Sequence, residues 1–268
     1  MSFTPAETAP VAIIIPARDE AACIAAVLDE LLLQLDVATH VVAVGVNDST
    51  DATAEIARNY PVVVAETPAR GYGHGCQAAI DAVTAAHPNV SAYVFFAGDG
   101  ASNPSDVARL TLAFQKGSTM VLGARPCRRG NWRVMTLPHV LANFSLGLWC
   151  GVLTGRWFTD LAPLRLIERR LFETLALQEM KFGWTIEAQV GAAILGAAIA
   201  EVPAEERGRI GGEQKVSGVN WRRTFVIGCR ILAAGWRAQR RYLRTVGRDR
   251  KCVAHALVPQ PQPNPQYP

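Results

Sequence analysis

The chain has 268 residues, half of them apolar, and a net charge of +4. That length and composition suit one large α/β domain with an appended segment, and exclude a small disulfide-stapled fold or a wholly disordered chain. The six cysteines (23, 76, 127, 150, 229 and 252) contain no CxxC pair, so they read as reduced thiols of a cytoplasmic protein, not as a zinc site or disulfide frame.

Residues 1–10 are expected to be disordered, and MSFTPAETAP lacks the basic and apolar regions of a secretory signal. Val11–Ile15 (VAIII) is a short continuous apolar run, as in a strand buried on both faces of a parallel sheet. PARDE follows, then helical spacing of apolar residues over about 21–35. His40–Val46 predicts a second strand, and Asn47-Asp48-Ser49-Thr50-Asp51 a turn and helix cap, with a helix to about Asn59. Val62–Ala65 predicts a third strand, and Gly75–Ala86 a helix after a glycine-rich loop. Ala92–Ala97 predicts a fourth strand ending in Gly98-Asp99-Gly100. Pro104 opens the next helix, and Thr119–Gly123 predicts a fifth strand. Such alternation implies a mostly parallel, right-handed α/β sheet.

Beyond Arg125 the alternation breaks. Val134–Gly155 carries no Asp, Glu, Lys or Arg, yet Pro138, His139, Asn143 and several glycines argue for a loop and a buried or membrane-facing helix, not a transmembrane span. His139 alone gives no metal-ligand cluster. Helices near 168–176 and 185–195, a strand at Ala198–Val202, a basic loop over 205–217 and a long helix over about 219–246 complete the reading. The VPQPQPNPQYP tail is expected to be extended and disordered. The domain boundaries read as 11–218 for the catalytic body, 219–250 for a basic amphipathic helix and 251–268 for the tail.

Charge is unevenly placed. Residues 221–251 hold nine Arg and one Lys against Asp249 alone, a net +9 that leaves −5 on the rest of the +4 chain. Arg223, Arg230, Arg237, Arg241, Arg244 and Arg248 recur at helical intervals, while Phe225, Leu232, Trp236 and Leu243 fall on another side. This pattern suits an interfacial helix at the inner face of an anionic membrane. A solvated charged helix, or one packed on the body or on a second copy as a homodimer contact, is the alternative. No nucleic-acid partner is expected.

In open parallel sheets, ligands bind beyond the carboxyl ends of the strands. Polar clusters stand at four successive ends: PARDE, NDSTD, ARGYGHG and GDGASNP. One Gly-Asp-Gly is ordinarily just a turn; four clusters in order make a site. Their order resembles glycosyltransferase family 2, in particular the dolichyl- and undecaprenyl-phosphate sugar transferases. IIIPARDE is similar to the family's strand and P-x-x-N/D-E turn, and NDSTDATAEIAR to its N/D-G-S-T-D-x-T segment. RGYGHGCQAAI is similar to R-G-x-G-x-A. FFAGDGASNP stands where the family has Asp-x-Asp. TDLAPLR, FGWTIEAQV and ERGRIGGEQKVSG are similar to its later motifs.

The resemblance implies a GT-A fold, a nucleotide-sugar donor, Mg²⁺ or Mn²⁺, and inverting transfer to an acceptor, with a polyprenyl phosphate as one such acceptor. It implies donor contacts from Pro16, Ala17, Arg18, Glu20, Asn47, Asp48, Asp51, Arg70, Gly71, Gly73, Gly98, Asp99, Arg207, Arg209 and Lys215. Asp99 is the implied metal ligand, and Asp160 the implied base that deprotonates the acceptor. Arg165, Trp184 and Glu187 are placed on the acceptor side. Blander readings stand beside these: Asp160 as a helix cap, Glu187 as a helix-face charge, Trp184 as core, and the basic loop as a linker. Two departures matter. Val46 replaces the acidic residue usual after the second strand, and Ala97-Gly98-Asp99 retains one carboxylate of Asp-x-Asp. They leave open a nucleotidyltransferase of similar sheet or a weakened nucleotide-sugar-binding protein.

Overall fold

The computed structural model describes residues 9–36, 38–128, 130–131, 134–135, 137–211 and 221–256, with backbone only for 137–139, 221–224 and 248–256. Residues 212–217 of the basic loop with Lys215, the first eight residues, the Pro/Gln tail and the side chains of His139, Arg223 and Arg248 lie outside the described residues.

The elements follow in chain order: β1 (Val11–Ala17), α1 (Ile24–Gln34), β2 (His40–Asn47), α2 (Thr53–Arg58), β3 (Val63–Thr67), α3 (Tyr72–Ala86), β4 (Ala92–Phe95), α4 (Ser105–Gln115) and β5 (Met120–Ala124). Then come α5 (Leu137–Thr154), β6 (Arg165–Glu168), α6 (Arg169–Leu175), α7 (Trp184–Ile194), β7 (Ile199–Pro203) and α8 (Trp221–Ala256). The seven strands form one sheet in the order β3-β2-β1-β4-β6-β5-β7. All pairings are parallel except those of β6, which runs antiparallel to both β4 and β5.

β1 shows why the apolar run reads as a central strand. Ala12 and Ile14 join a core with α3, α5, α6, α7 and α8, while Val11, Ile13, Ile15 and Ala17 join a second core with α1, α2 and α4. Side chains alternate across a strand, so both faces of β1 are covered and every position is apolar. The short β6 was not foreseen: four residues, RLIE, carry no alternation that marks a strand, and only its slot between β4 and β5 makes it one.

α8 is docked on the body, not detached from it. Ala234, Ala238 and Tyr242 are buried against α5 and α7, and Ile227 is buried on the same helix. The Tyr242 hydroxyl donates to the Leu175 carbonyl at 2.7 Å, Gln239 Nε2 to the Leu153 carbonyl at 2.7 Å, and Trp149 Nε1 to the Leu232 carbonyl at 3.1 Å. Two stripe arginines serve the same contact. Arg237 Nε pairs with Glu179 at 2.7 Å and Arg241 Nη1 with Glu187 at 2.5 Å. Phe225, Leu232, Trp236 and Leu243 remain exposed, as do Leu141, Phe144, Leu148 and Val152 of α5. Among the described residues no helix is long and apolar enough to cross a membrane.

Candidate active site

The order of strands reverses between β1 and β4, and a sheet of this kind opens a crevice at that point. β1 ends in Pro16 and Ala17, registered against Gly45 and Val46, and the chain then turns through Arg18, Asp19 and Glu20. This turn is tied to the one after β2. Asp19 N–H donates to Ser49 Oγ at 2.9 Å, Thr50 N–H to Asp19 Oδ1 at 2.8 Å, Glu20 N–H to Thr53 Oγ1 at 2.9 Å and Ala21 N–H to Asp51 Oδ2 at 3.0 Å. Asp51 also accepts from the Thr53 N–H and hydroxyl, so it joins the two turns just before α2. Asp48 lies between the guanidinium groups of Arg18 (3.4 Å) and Arg70 (3.7 Å), and Asn47 Nδ2 donates to the Gly71 carbonyl at 3.1 Å.

Across the crevice, Gly98 and Asp99 follow β4. The segment 206–210 runs back along this turn. Ser102 and Glu206 form an antiparallel bridge, Arg207 N–H donates to the Ala101 carbonyl at 2.8 Å, and Ile210 N–H to the Asp99 carbonyl at 3.1 Å. Gly100 has φ +80°, and a Cβ there would lie 2.4 Å from Ile210, so glycine is required on both counts. The strip aims Arg209 into the crevice. Its Nη1 reaches Asp99 Oδ2 at 2.8 Å and its Nη2 reaches Glu20 Oε2 at 2.9 Å. One guanidinium thus spans the ends of β1 and β4. Cys23 Sγ–H donates to Glu20 Oε2 at 3.1 Å, and burial, helped by that bond, pushes its thiol up to about 12.

Several expected contacts have other duties. Arg207 is held by Glu30 in a bidentate pair (2.7 and 2.9 Å) and by the Ser102 carbonyl at 2.7 Å, and its guanidinium lowers the Glu30 carboxyl. Gly73 does not make room for a donor: a Cβ there would meet Trp184 at 2.4 Å. The three acceptor-side assignments are corrected by burial. Trp184 is fully buried and stacks at an angle on Phe95 and Phe172. Arg165 is fully buried over the Phe95 ring (4.5 Å) and donates to the Ala162 and Pro163 carbonyls. Glu187 is buried, accepts the N–H groups of Gln178 and Glu179, and pairs with Arg241.

Asp160, the implied base, is enclosed in this structure. Its side chain is 0% exposed, and both oxygens are taken by Arg125, Nε at 2.7 Å and Nη2 at 2.9 Å. Arg125 Nη1 lies 3.4 Å from Glu206, a residue that the sequence reading passed over although it begins the quoted ERGRIGG run. Burial raises the Glu206 carboxyl above the ordinary range, against the pull of Arg125 and with repulsion from Asp160 and Asp99. Glu206 is a partly exposed carboxylate on this side of the crevice, and Arg125 is the link between it and Asp160.

Residues 12–187 match the family model for glycosyl transferase family 2. The chain belongs to that family. It is therefore a glycosyltransferase. Relatives include uncharacterized glycosyltransferases of Mycobacterium bovis and Mycobacterium tuberculosis, 29% identical over 174 residues, which cover 64% of this chain and 76% of the relatives. Among solved structures, glucosyl-3-phosphoglycerate synthase from M. tuberculosis with phosphoglyceric acid superposes with a TM-score of 0.61 at 20% identity, over 85% of this chain and 79% of the other. The same enzyme with Mn²⁺, uridine-diphosphate-glucose and phosphoglyceric acid gives 0.60 at 20% identity, over 86% and 79%. At that identity the likeness shows a shared GT-A fold.

Proposed function

We propose that this family 2 transferase moves a hexose from a uridine diphosphate sugar to a phosphate-bearing acceptor, with Mg²⁺ or Mn²⁺ assisting. The observation that carries the reading is the convergence of Glu20, Asp99 and Arg209 at the switch point of the sheet. Two carboxylates there already face one positive charge. Among the described residues no three His, Cys, Asp or Glu gather into a metal cage. A divalent ion here would be held by Asp99 together with diphosphate oxygens and water, the usual manner of Mg²⁺. Such an ion offsets the charge of the departing nucleoside diphosphate. Arg209 supplies a second positive charge at the same place, and Arg18 and Arg70 extend it toward the end of β2.

In-line, inverting transfer needs a proton acceptor on the acceptor side. Glu206 is the proposed base, since its raised carboxyl binds a proton more readily than a solvated one. Asp160 becomes a positioning residue that orients Arg125. The structural relative bound to phosphoglyceric acid favours a small phosphorylated acceptor. A polyprenyl phosphate is the second reading, favoured by the exposed apolar row of α5, which ends a few residues before Asp160.

The test is a thermal-shift screen of nucleotide sugars with and without Mn²⁺, followed by transfer assays on phosphoglyceric acid and a polyprenyl phosphate. A donor present at a hundred times its Kd stabilises by about 2.7 kcal/mol. Uridine diphosphate release that needs Mn²⁺ supports the reading. Pyrophosphate release from a nucleoside triphosphate, or no response to any nucleotide sugar, overturns it.

A further inference from the structure

α5 and α8 lie side by side on the outside of the molecule, and their unburied faces share a pattern. Along α5, Phe144, Leu148 and Val152 recur at intervals of four; along α8, Leu232, Trp236 and Leu243 recur at intervals of four and seven. A helix turns about 100° per residue, so each set forms one row. Both rows are exposed, and both lie on sides turned away from the buried positions Cys150, Ala234 and Ala238. The Trp149–Leu232 and Gln239–Leu153 hydrogen bonds hold the helices together along the seam, so the rows make one apolar surface. Soluble monomers seldom leave such a surface uncovered.

Its border identifies what covers it. Arg230, Arg240 and Arg244 line the edge of the α8 row on the side away from α5, and all three are exposed. Arg240 stacks on Trp236 at 4.7 Å, and Arg230 and Arg244 have no carboxylate partner among the described residues. α5 has no charged residue, and the only acidic residue of α8 is Asp249. A second copy meeting this face about a two-fold axis would set the arginine edges against each other, and along the apolar rows neither helix offers a carboxylate to answer them. An anionic bilayer offers apolar depth bordered by negative charge, which complements both parts.

We propose that the α5–α8 face docks on the surface of a bilayer containing anionic phospholipid. The apolar rows enter the head-group boundary and the arginine edge lies among the phosphates, with no segment crossing. This inference does not depend on the transfer reaction, so it stands or falls separately from the proposed function.

The full chain is sedimented with vesicles of phosphatidylcholine alone and of phosphatidylcholine with one-third phosphatidylglycerol, at low and high salt. One variant pairs Arg230→Glu with Arg244→Glu; a second pairs Leu148→Glu with Val152→Glu. All four positions are exposed, and circular dichroism and melting verify that the variants fold. Each basic residue near an anionic leaflet raises partitioning about five-fold, so loss of two lowers it about 25-fold, and charge reversal lowers it further. The expected result is sedimentation with anionic vesicles at low salt, weakened by salt and by either variant. Four results overturn the proposal: protein in the supernatant with anionic vesicles at low salt, equal binding to neutral vesicles, unchanged binding of either folded variant, or a stable dimer in analytical ultracentrifugation that both variants dissociate.

Discussion

Arg209 and Asp99 make the sharpest residue-scale statement. Asn in place of Asp99 keeps the oxygen that accepts the Ala101 N–H and removes the charge that faces Arg209. Asp99→Asn is expected to abolish metal-dependent donor turnover and to move the melting temperature by only a few degrees, since 1 kcal/mol shifts a chain of this size by about 2–4 °C. Unchanged turnover at matched Mn²⁺ removes Asp99 from the metal site. Asp160→Asn is expected to behave in the opposite way. It leaves the mostly buried Arg125 with only the more distant Glu206 as counter-charge, at a cost of about 3 kcal/mol read from urea unfolding. An Asp160→Asn variant that loses activity at full stability restores Asp160 as the base. Glu206→Gln is expected to cut transfer about 10²–10⁴-fold with donor binding intact. In the wild type, activity is expected to fall on the acid side as Glu206 takes up a proton, at a higher pH than an ordinary carboxylate because burial raises it. A pH–rate profile whose acid limb is the same in Glu206→Gln contradicts that assignment.

At the scale of elements, α8 tests what a charge pattern means. Arg241 and Arg244 are three positions apart on the same sequence stripe, yet Arg241 answers the buried Glu187 while Arg244 is exposed. Arg241→Ala is expected to destabilise by about 3 kcal/mol, because it strips a buried carboxylate of its counter-charge. Arg244→Ala is expected to stay within about 0.5 kcal/mol, as most surface changes do. Urea midpoints of the two variants decide this, and equal midpoints mean that α8 is not docked through Glu187. Helical spacing correctly marked an amphipathic α8. It did not reveal that the buried stripe is Ile227, Ala234, Ala238 and Tyr242, because alanine carries little weight in such a pattern.

For the whole molecule, burial governs the chemistry of the thiols. Cys23, Cys76 and Cys150 are buried, and burial pushes each up to about 12, whereas Cys127 and Cys229 are exposed. In a Cys252→Ser background, a thiol reagent at neutral pH is expected to titrate two cysteines quickly and three only on unfolding. Fast reaction of a third contradicts the packing around Cys23, Cys76 or Cys150. The raised values also set a sign for stability. The three thiols hold their protons in the folded state past the pH at which the unfolded chain loses them. Their contribution is therefore complete below about pH 9 and is lost as pH rises toward 12.

The sequence alone determined the parallel β/α order through β5, because each buried strand there is a continuous apolar run between polar turns, and this signal is local. It also marked the polar clusters at the strand ends that hold Glu20, Asp48 and Asp99, since ligand groups of an open sheet follow the strands, whereas Arg209 entered through the family resemblance. Only the tertiary structure decided the rest. β6 is a strand because β4 and β5 leave it a slot. Trp184 and Glu187 face inward because α7 is covered by α8 on one side and by the sheet on the other, and Arg165 at the start of β6 is buried against Phe95 and Tyr72. Asp160 is enclosed by an arginine 35 residues earlier in the chain, and the Glu206 carboxyl is raised by burial first and then by Asp160 and Asp99 from two other segments. Spacing along the chain reports which face of an element a residue occupies; which faces are covered, and by which charges, is set by contacts between segments far apart in sequence.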